Sequence, residues 1–180
     1  MKKIIRGKNC SLLRFEAGDE KLVDLIHKLF NDEHITGLLN PDYPLNKPKS
    51  VIKKWVKETA ENPYGVWYVI KSKQNYIGYV CYKWRENYTE ACEISTAILF
   101  EYRGLKLGYE SSKLLSDYVK GLKKFKYLVA YVHQGNKRAE NNLKKFGLSK
   151  ANRLQKTITM ALYNEDGSSG EYDLFALKLS

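Results

Sequence analysis

The sequence is short of the features that define several classes of protein. It has three cysteines in 180 residues, and their spacing at positions 10, 81 and 92 fits no paired metal-binding motif. Their odd number argues against a framework of disulfides, so the reducing cytoplasm is the expected location. No apolar run approaches the ~20 residues of a membrane span, and none follows the basic N-terminal residues as a signal peptide would. We therefore expect an ordinary globular protein with no membrane partner.

Acidic residues are scarce relative to basic ones. Asp and Glu total 20 against 31 Lys and Arg, which gives a formal net charge of +11. Such a charge predicts attraction to an acidic partner, for example a phosphorylated cofactor, nucleic acid or the ribosome surface. The alternative is a lysine-rich surface that serves solubility alone.

No repeat, low-complexity tract or linker divides the chain, so residues 1–180 are predicted to form a single domain.

The spacing of apolar residues predicts alternating strands and helices. Asp19 and Ser50 are the predicted caps of the first two helices, a third helix starts near Leu107, and a fourth starts at Asn136. Glycine and proline in residues 34–49 predict a loop. The predicted order, β-α-α-β-β-β-α-β-α-β-β, implies an α/β fold (an α+β mixed sheet) with helices on both faces. The predicted strands are residues 11–16, 64–71, 76–84, 91–100, 127–132, 154–163 and 172–178.

Residues 101–110, which read EYRGLKLGYE, connect a predicted strand to a predicted helix. The unpaired amides of a first helical turn and the helix dipole favour an anion there. Arg103 and Lys106 add full positive charges, while Gly104 and Gly108 allow the backbone to approach a ligand closely. The segment therefore predicts a phosphate-sized anion site.

Two motifs resemble those of the GNAT superfamily of acetyl-CoA-dependent N-acetyltransferases. Residues 103–108 resemble its pyrophosphate loop, (Gln/Arg)-x-x-Gly-x-(Gly/Ala). Residues 136–148 resemble its Asn-x-x-(Ala/Ser)…Lys-x-Gly-(Phe) helix, through Asn136, Ala139, Lys145, Gly147 and Leu148. Around the loop, Glu93, the string Glu-Tyr-Arg-Gly at 101–104 and Glu110 are most similar to the branch that includes ribosomal-protein N-terminal acetyltransferases.

The resemblance implies a mostly antiparallel central sheet, acetyl-CoA (coenzyme A) as cofactor, and an amine as acceptor. It also implies that the backbone near Ile98 and Leu99 pairs with the pantetheine arm, where an N–H can face the thioester oxygen. Asn136 is expected to bond the cofactor arm, a role compatible with a helix N-cap. The residues implied to bind the cofactor are Ile98, Leu99, Arg103, Gly104, Leu105, Lys106, Leu107, Gly108, Asn136 and Ala139.

Three positions depart from the family pattern. Lys106 stands at a usual glycine, where its side chain either crowds the pyrophosphate or points outward and pairs with it. Leu148 replaces a usual phenylalanine, which is an apolar exchange. Leu143 stands where many relatives carry a tyrosine proposed to protonate the leaving thiolate. The general acid is therefore open, and His133, Tyr109 and Tyr131 are the candidates.

Glu93 is the candidate catalytic base. An alkyl amine with a pKa near 10.4 is only about one part in 10³ neutral at pH 7, whereas an N-terminal amine with a pKa near 8 needs less help. Alternation places Glu93 on one strand face with Ser95 and Ala97, small residues that leave room for a substrate and a bridging water. The alternative is a cross-strand ion pair with a nearby lysine.

Asn31, Glu33 and His34 are the candidate acceptor contacts, because relatives bind acceptor near the end of the first helix. The alternative for them is a solvated helix end. The predicted function is acetyl transfer to a primary amine, either a protein N-terminus or a small molecule. The competing hypothesis is a catalytically weak module of the same fold that binds ribosome or nucleic acid through its basic surface. Neither reading predicts a metal site or fixes the oligomeric state.

Overall fold

The computed structural model describes residues 2–39, 42–86, 90–152 and 172–179. Within them, five helices, eight strands and a single 3-10 turn follow one another along the chain. Their bounds are β1 (Ile4–Arg6), β2 (Ser11–Arg14), α1 (Glu20–Phe30), α2 (Glu33–Thr36), α3 (Lys49–Glu61), β3 (Gly65–Ser72), β4 (Asn75–Lys83), β5 (Ala91–Ile98), the 3-10 turn (Phe100–Tyr102), α4 (Leu107–Leu122), β6 (Tyr127–His133), α5 (Lys137–Lys145), β7 (Ser149–Lys150) and β8 (Tyr172–Lys178).

The chain divides into two compact units. The first comprises Met1–Cys81 and Thr96–Leu115, and the second comprises Tyr82–Ser95 and Ser116–Ser180. Three elements, β4, β5 and α4, have residues in both units. The expectation of a single domain stays a prediction.

In the first unit the strand order is β1-β2-β3-β4-β5. The pairs β1–β2 and β2–β3 are antiparallel. One face carries a core formed by α1, α3 and alternate strand residues such as Trp67, Tyr79 and Ala97. On the other face, Thr96 of β5 hydrogen-bonds Ser112 of α4, with 2.8 Å between the two hydroxyl oxygens. Helices therefore cover both faces, as predicted.

In the second unit the strand order is β5-β6-β8-β7. β5 and β6 run parallel, with Glu93 opposite Val129. β6 pairs antiparallel with β8, and β8 pairs antiparallel with β7. The crossover between the two parallel strands contains α4, as a parallel connection requires. The predicted mixed, mostly antiparallel sheet is confirmed.

Most predicted element positions are confirmed. The side chain of Asp19 caps α1 by accepting from the Leu22 amide at 3.1 Å, and residues 172–178 form β8. The cap predicted at Ser50 is wrong. α3 already includes Ser50, because it begins at Lys49, and its N-cap is Pro48, in extended backbone and with no side-chain cap hydrogen bond. The predicted strand 154–163 lies outside the described residues.

Three short elements were not predicted. β1 has three residues, α2 has four and β7 has two. Segments this short show no full apolar period, and they form here because neighbouring elements supply their partners. Within the described ranges, no helix is both long enough and apolar enough to cross a membrane.

Candidate active site

The strand-to-helix turn of the first unit begins where β5 ends at Ile98 and finishes where α4 starts at Leu107. Gly104 has a φ of +88° and Lys106 a φ of +61°, so two of its residues adopt left-handed backbone. The Glu110 amide donates to the Lys106 carbonyl at 3.0 Å, the first hydrogen bond of α4. Gly104, Leu105 and Lys106 are exposed. The turn therefore presents a 16-residue helix N-terminus to solvent, with two basic residues beside it.

The left-handed conformation of Lys106 explains why glycine is usual at this position in the family. A left-handed residue with a Cβ costs about 1–2 kcal/mol, and glycine avoids that penalty. The exposed Lys106 side chain does not fill the turn. At Gly108, an added Cβ would lie 3.2 Å from Cδ1 of Ile98, so this position favours a small residue. The residues present fit a pyrophosphate-sized anion.

Side chains of neighbouring elements also contact this turn. Nζ of Lys28, on α1, lies 2.5 Å from Oε1 of Glu101. Nδ2 of Asn75, at the start of β4, donates to the Tyr102 hydroxyl at 3.1 Å. These contacts join residues more than twenty positions apart in the sequence, so no local pattern could have revealed them.

Glu110, on the first turns of α4, anchors the hairpin between β1 and β2. Its two carboxylate oxygens accept from the backbone amide and the side-chain amide of Asn9, each at 2.7 Å. Burial alone would raise the pKa of Glu110, but hydrogen bonds from Asn9, Cys10 and Lys8 outweigh it, and the pKa is lowered. Burial and the charge of Glu110 raise the pKa of Cys10 to about 12, so this thiol stays protonated.

The backbone of Leu99 is already engaged within the first unit. Its amide donates to the Ile77 carbonyl at 2.9 Å, and its carbonyl accepts from the Tyr102 amide at 3.0 Å. At Gly78, an added Cβ would lie 2.2 Å from the Ala97 carbonyl oxygen, so β4 and β5 approach closely. Of the two residues expected to pair with the pantetheine arm, Leu99 thus has its amide and carbonyl engaged within the protein, and its side chain is buried in the core.

Glu93 lies in the second unit and is 7% exposed. Nζ of Lys83, on β4, lies 3.1 Å from Oε2 of Glu93, at ion-pair distance but outside good hydrogen-bond geometry. Burial raises the pKa of Glu93, and the Lys83 ammonium opposes that rise. The predicted cross-strand ion pair is therefore present. The pair is compatible with a base, because a carboxyl with a raised pKa accepts a proton more readily near neutral pH.

Tyr131 shares a sheet face with Glu93, because Glu93 pairs with Val129 and Tyr131 is two residues further along β6. Burial and then the Glu93 charge raise the pKa of Tyr131. A phenol with a raised pKa is a weak acid toward a thiolate, so Tyr131 suits hydrogen bonding better than proton donation.

His133 is the second candidate for the general acid. Its Nδ1 lies 2.9 Å from the Gln134 carbonyl oxygen. A carbonyl only accepts, so a neutral His133 carries its proton on Nδ1.

Asn136 caps α5 as the sequence predicted. Its side-chain oxygen accepts from the Ala139 amide at 3.2 Å. The basic residues of this helix are partly neutralised, because the buried Glu140 lies 3.1 Å from Nζ of Lys137 and 3.7 Å from Nζ of Lys144. Lys137 and Lys144 therefore have a carboxylate beside them, which weakens the positive field at this end of α5.

The candidate acceptor residues lie between α1 and α2 in the first unit. Asn31 ends α1, and its Nδ2 donates to the His27 carbonyl at 2.8 Å, which is a structural role. The Glu33 side chain is 90% exposed. The His34 ring lies 4.8 Å from the Phe100 ring, between centroids. The structure thus brings His34 to the strand-to-helix turn, where Phe100 is its partner, and no pattern in the sequence predicted that contact.

The mixed sheet defines an α/β protein, and the exposed, basic turn at a helix N-terminus is its candidate anion site. Residues 12–149 match the family described as the acetyltransferase (GNAT) domain, and the chain belongs to that family. No curated protein sequence matches it.

Solved structures share the fold at low sequence identity. One is RimL, a ribosomal-protein alpha-N-acetyltransferase in complex with coenzyme A, with a TM-score of 0.74, 16% identity and 97% of each chain covered. Another is the microcin self-immunity acetyltransferase MccE with acetyl-CoA and AMP, with a TM-score of 0.70, 14% identity, and 96% of this chain and 93% of that chain covered. A third is a spermidine N-acetyltransferase chimera of SpeG from Vibrio cholerae and hSSAT, with a TM-score of 0.72, 14% identity and 96% of each chain covered.

Proposed function

We propose that this GNAT-family protein is an acetyl-CoA-dependent N-acetyltransferase that moves an acetyl group to a primary amine by direct attack on the thioester. The observation that carries the proposal is the exposed turn before α4, with left-handed residues at Gly104 and Lys106 and the basic side chains of Arg103 and Lys106. Acetyl-CoA is the cofactor of the family, and it supplies an activated acyl group and a thiol leaving group.

In this proposal the turn holds the pyrophosphate. The amides of residues 104–108 and the dipole of α4 favour the negative charge, and Arg103 and Lys106 add their own. Leu107 is buried and fixes the start of the helix. Ile98 offers backbone to the pantetheine arm and an N–H to the developing oxyanion, while the buried Leu99 supports this end of the strand from the core. Asn136 and Ala139 form the N-terminal end of α5 that bonds the cofactor arm.

Glu93 takes the proton that the attacking amine loses, directly or through a water. The raised pKa of this buried carboxyl supports the role, because it moves the group toward neutral pH. The Lys83 ammonium opposes that rise and so favours the carboxylate form, which accepts the proton. Either a protein N-terminus or a small-molecule amine fits this chemistry. Asn31, Glu33 and His34 are proposed to contact the acceptor.

The proposed location is the cytoplasm, and the net charge of +11 supports an acidic or ribosomal partner.

The deciding experiment measures the melting temperature with and without acetyl-CoA at moderate salt, followed by thiol release across a panel of amines. A clear rise in melting temperature together with amine-dependent thiol release supports the enzyme. No rise, alongside salt-sensitive binding of RNA, overturns it in favour of the nucleic-acid or ribosome-binding module.

A matched pair of variants sharpens that experiment. Lys106→Glu reverses a charge on the turn and is expected to weaken acetyl-CoA binding by about tenfold. Lys57→Glu makes the same change at an exposed position of α3 and is expected to leave binding near the wild-type value. Equal weakening by both variants would mean that only the overall charge attracts the cofactor.

A further inference from the structure

Three contacts among Arg103, Phe100 and His34 join the strand-to-helix turn to residues 32–36, the segment that follows α1. Nη2 of Arg103 donates to the His34 carbonyl at 3.2 Å. The Arg103 guanidinium also lies over the Phe100 ring, 5.3 Å from its centroid. The His34 ring packs on that same Phe100 ring at 4.8 Å. The aromatic ring is thus shared between the cofactor turn and residues 32–36, although 53% of Phe100 is exposed.

The side chain of Ile35 is 2% exposed and packs in the core of the first unit, but the backbone of the segment forms only a short helix. α2 has four residues and is capped at its start by Asp32, which accepts from the His34 amide at 2.9 Å. An isolated helix of this length is unstable in water, and its carbonyls need partners outside the helix. Arg103 supplies such a partner at the His34 carbonyl. The planar fork of an arginine can bond a carbonyl and face an aromatic ring at once, which the point charge of a lysine does less well.

We infer that Arg103 is a positioning residue for the amine acceptor: it fastens residues 32–36 onto the turn that opens α4. The effect on the acceptor rests on the proposed function, since Glu33 and His34 of this segment are two of the three proposed acceptor contacts. The three contacts are made within the protein, so the ordering of residues 32–36 by Arg103 can be tested without a ligand. Because Arg103 also belongs to the turn proposed to hold the pyrophosphate, the order of the acceptor segment and the binding of cofactor become coupled.

The first test needs no ligand. Hydrogen exchange of residues 32–39 is measured in wild type, Arg103→Lys, Phe100→Leu and Glu101→Gln. Arg103→Lys keeps the charge and loses the fork, and Phe100→Leu keeps an apolar side chain and loses the ring face. Both are expected to speed exchange of the segment by about three- to tenfold. Glu101→Gln weakens the contact to Lys28 on the same turn and is the control, expected to leave this segment unchanged.

The second test separates acceptor positioning from phosphate binding. KM is measured for spermidine and for an unblocked alanine tripeptide at saturating acetyl-CoA, and the Kd of coenzyme A is measured separately. Arg103→Lys is expected to raise the amine KM by about three- to tenfold and to change the coenzyme A Kd by less. A larger change in that Kd than in the amine KM would overturn the inference. So would unchanged exchange of residues 32–39 in both Arg103→Lys and Phe100→Leu.

The two proposals fail differently. If wild type neither binds coenzyme A nor releases thiol, the proposed function fails, and the exchange experiment still decides whether Arg103 orders the segment. If wild type is active but the segment exchanges at the same rate in the variants, the inference fails and the function stands.

Discussion

The ammonium of Lys83 lies 3.1 Å from Oε2 of Glu93, inside the second unit, where only 10% of the Glu93 side chain and 23% of the Lys83 side chain are exposed. This pair decides when the proposed base is ionised. Burial raises the pKa of Glu93, and the neighbouring positive charge is the influence that opposes the rise. Replacing either Lys83 or Glu93 is therefore expected to change how the reaction rate depends on pH.

Lys83→Met is expected to shift the acid limb of the pH–rate profile to higher pH. Without the ammonium the pKa of Glu93 rises further, so the carboxylate becomes available only at higher pH. The measurement is kcat/KM for one amine from weakly acidic to alkaline pH. Lys126→Met is the control, because it removes an exposed ion pair with Glu90 in the same unit. An unmoved limb in Lys83→Met would contradict a base role for Glu93.

Glu93→Gln is expected to slow turnover more at neutral than at alkaline pH. At neutral pH most of the amine is protonated and needs a base, and loss of a general base costs about 10²- to 10⁴-fold. At alkaline pH the amine loses its proton unaided, so the defect shrinks. The ratio of wild-type to variant kcat at the two pH values is the measurement. The same ratio at both would mean that Glu93 does not act as a base.

Lys106→Gly is expected to raise the free energy of unfolding by up to about 1 kcal/mol, because glycine relieves the left-handed strain at a φ of +61°. Lys106→Ala is the matched control, since it removes the same charge and keeps a Cβ. Both variants are expected to weaken coenzyme A binding equally. Urea unfolding and the Kd of coenzyme A give the two readouts. If Lys106→Gly proves no more stable than Lys106→Ala, the left-handed backbone at this position carries no strain.

Glu110→Gln is expected to lower stability by about 1 kcal/mol at neutral pH. The folded protein lowers the pKa of Glu110 below its ordinary value of 4.5. The stabilisation is therefore fully present above that value and is lost as pH falls through the lowered pKa. The wild-type advantage in urea unfolding should disappear in acid. The control is Glu58→Gln, at an exposed pair with Lys54 on α3, which should differ little from wild type at any pH.

Gly78→Ala is expected to destabilise the protein by about 3 kcal/mol or more. Its Cβ would lie 2.2 Å from the Ala97 carbonyl oxygen, which belongs to backbone and cannot swing away. Thermal unfolding, or loss of folded protein on expression, measures the effect. Gly37→Ala is the control, because nothing lies within 4 Å of an added Cβ there. A mild effect at Gly78 would show that β4 and β5 can separate easily.

The sequence predicted features that depend on neighbouring residues. Asp19 and Asn136 cap the helices as expected, because a cap is a bond between residues three apart. The predicted start of α4 at Leu107 is confirmed, since the buried side of a long helix shows a clear period. By contrast, the cap expected at Ser50 is wrong, because the helix begins at Lys49 and Ser50 lies within its first turn. The short β1 and α2 carry too few residues for any period to appear.

Chemistry carried by a short motif was therefore visible in the sequence: a basic, glycine-bearing turn before a helix, and an asparagine-capped helix of the GNAT family. Only the tertiary structure decided which partners act on those residues. It placed Lys83 beside Glu93, which sets the charge of the proposed base. It gave Lys106 its left-handed backbone and joined Arg103 to His34. The physical reason is that these effects arise from burial and from contacts between residues far apart in the chain, which no local pattern encodes.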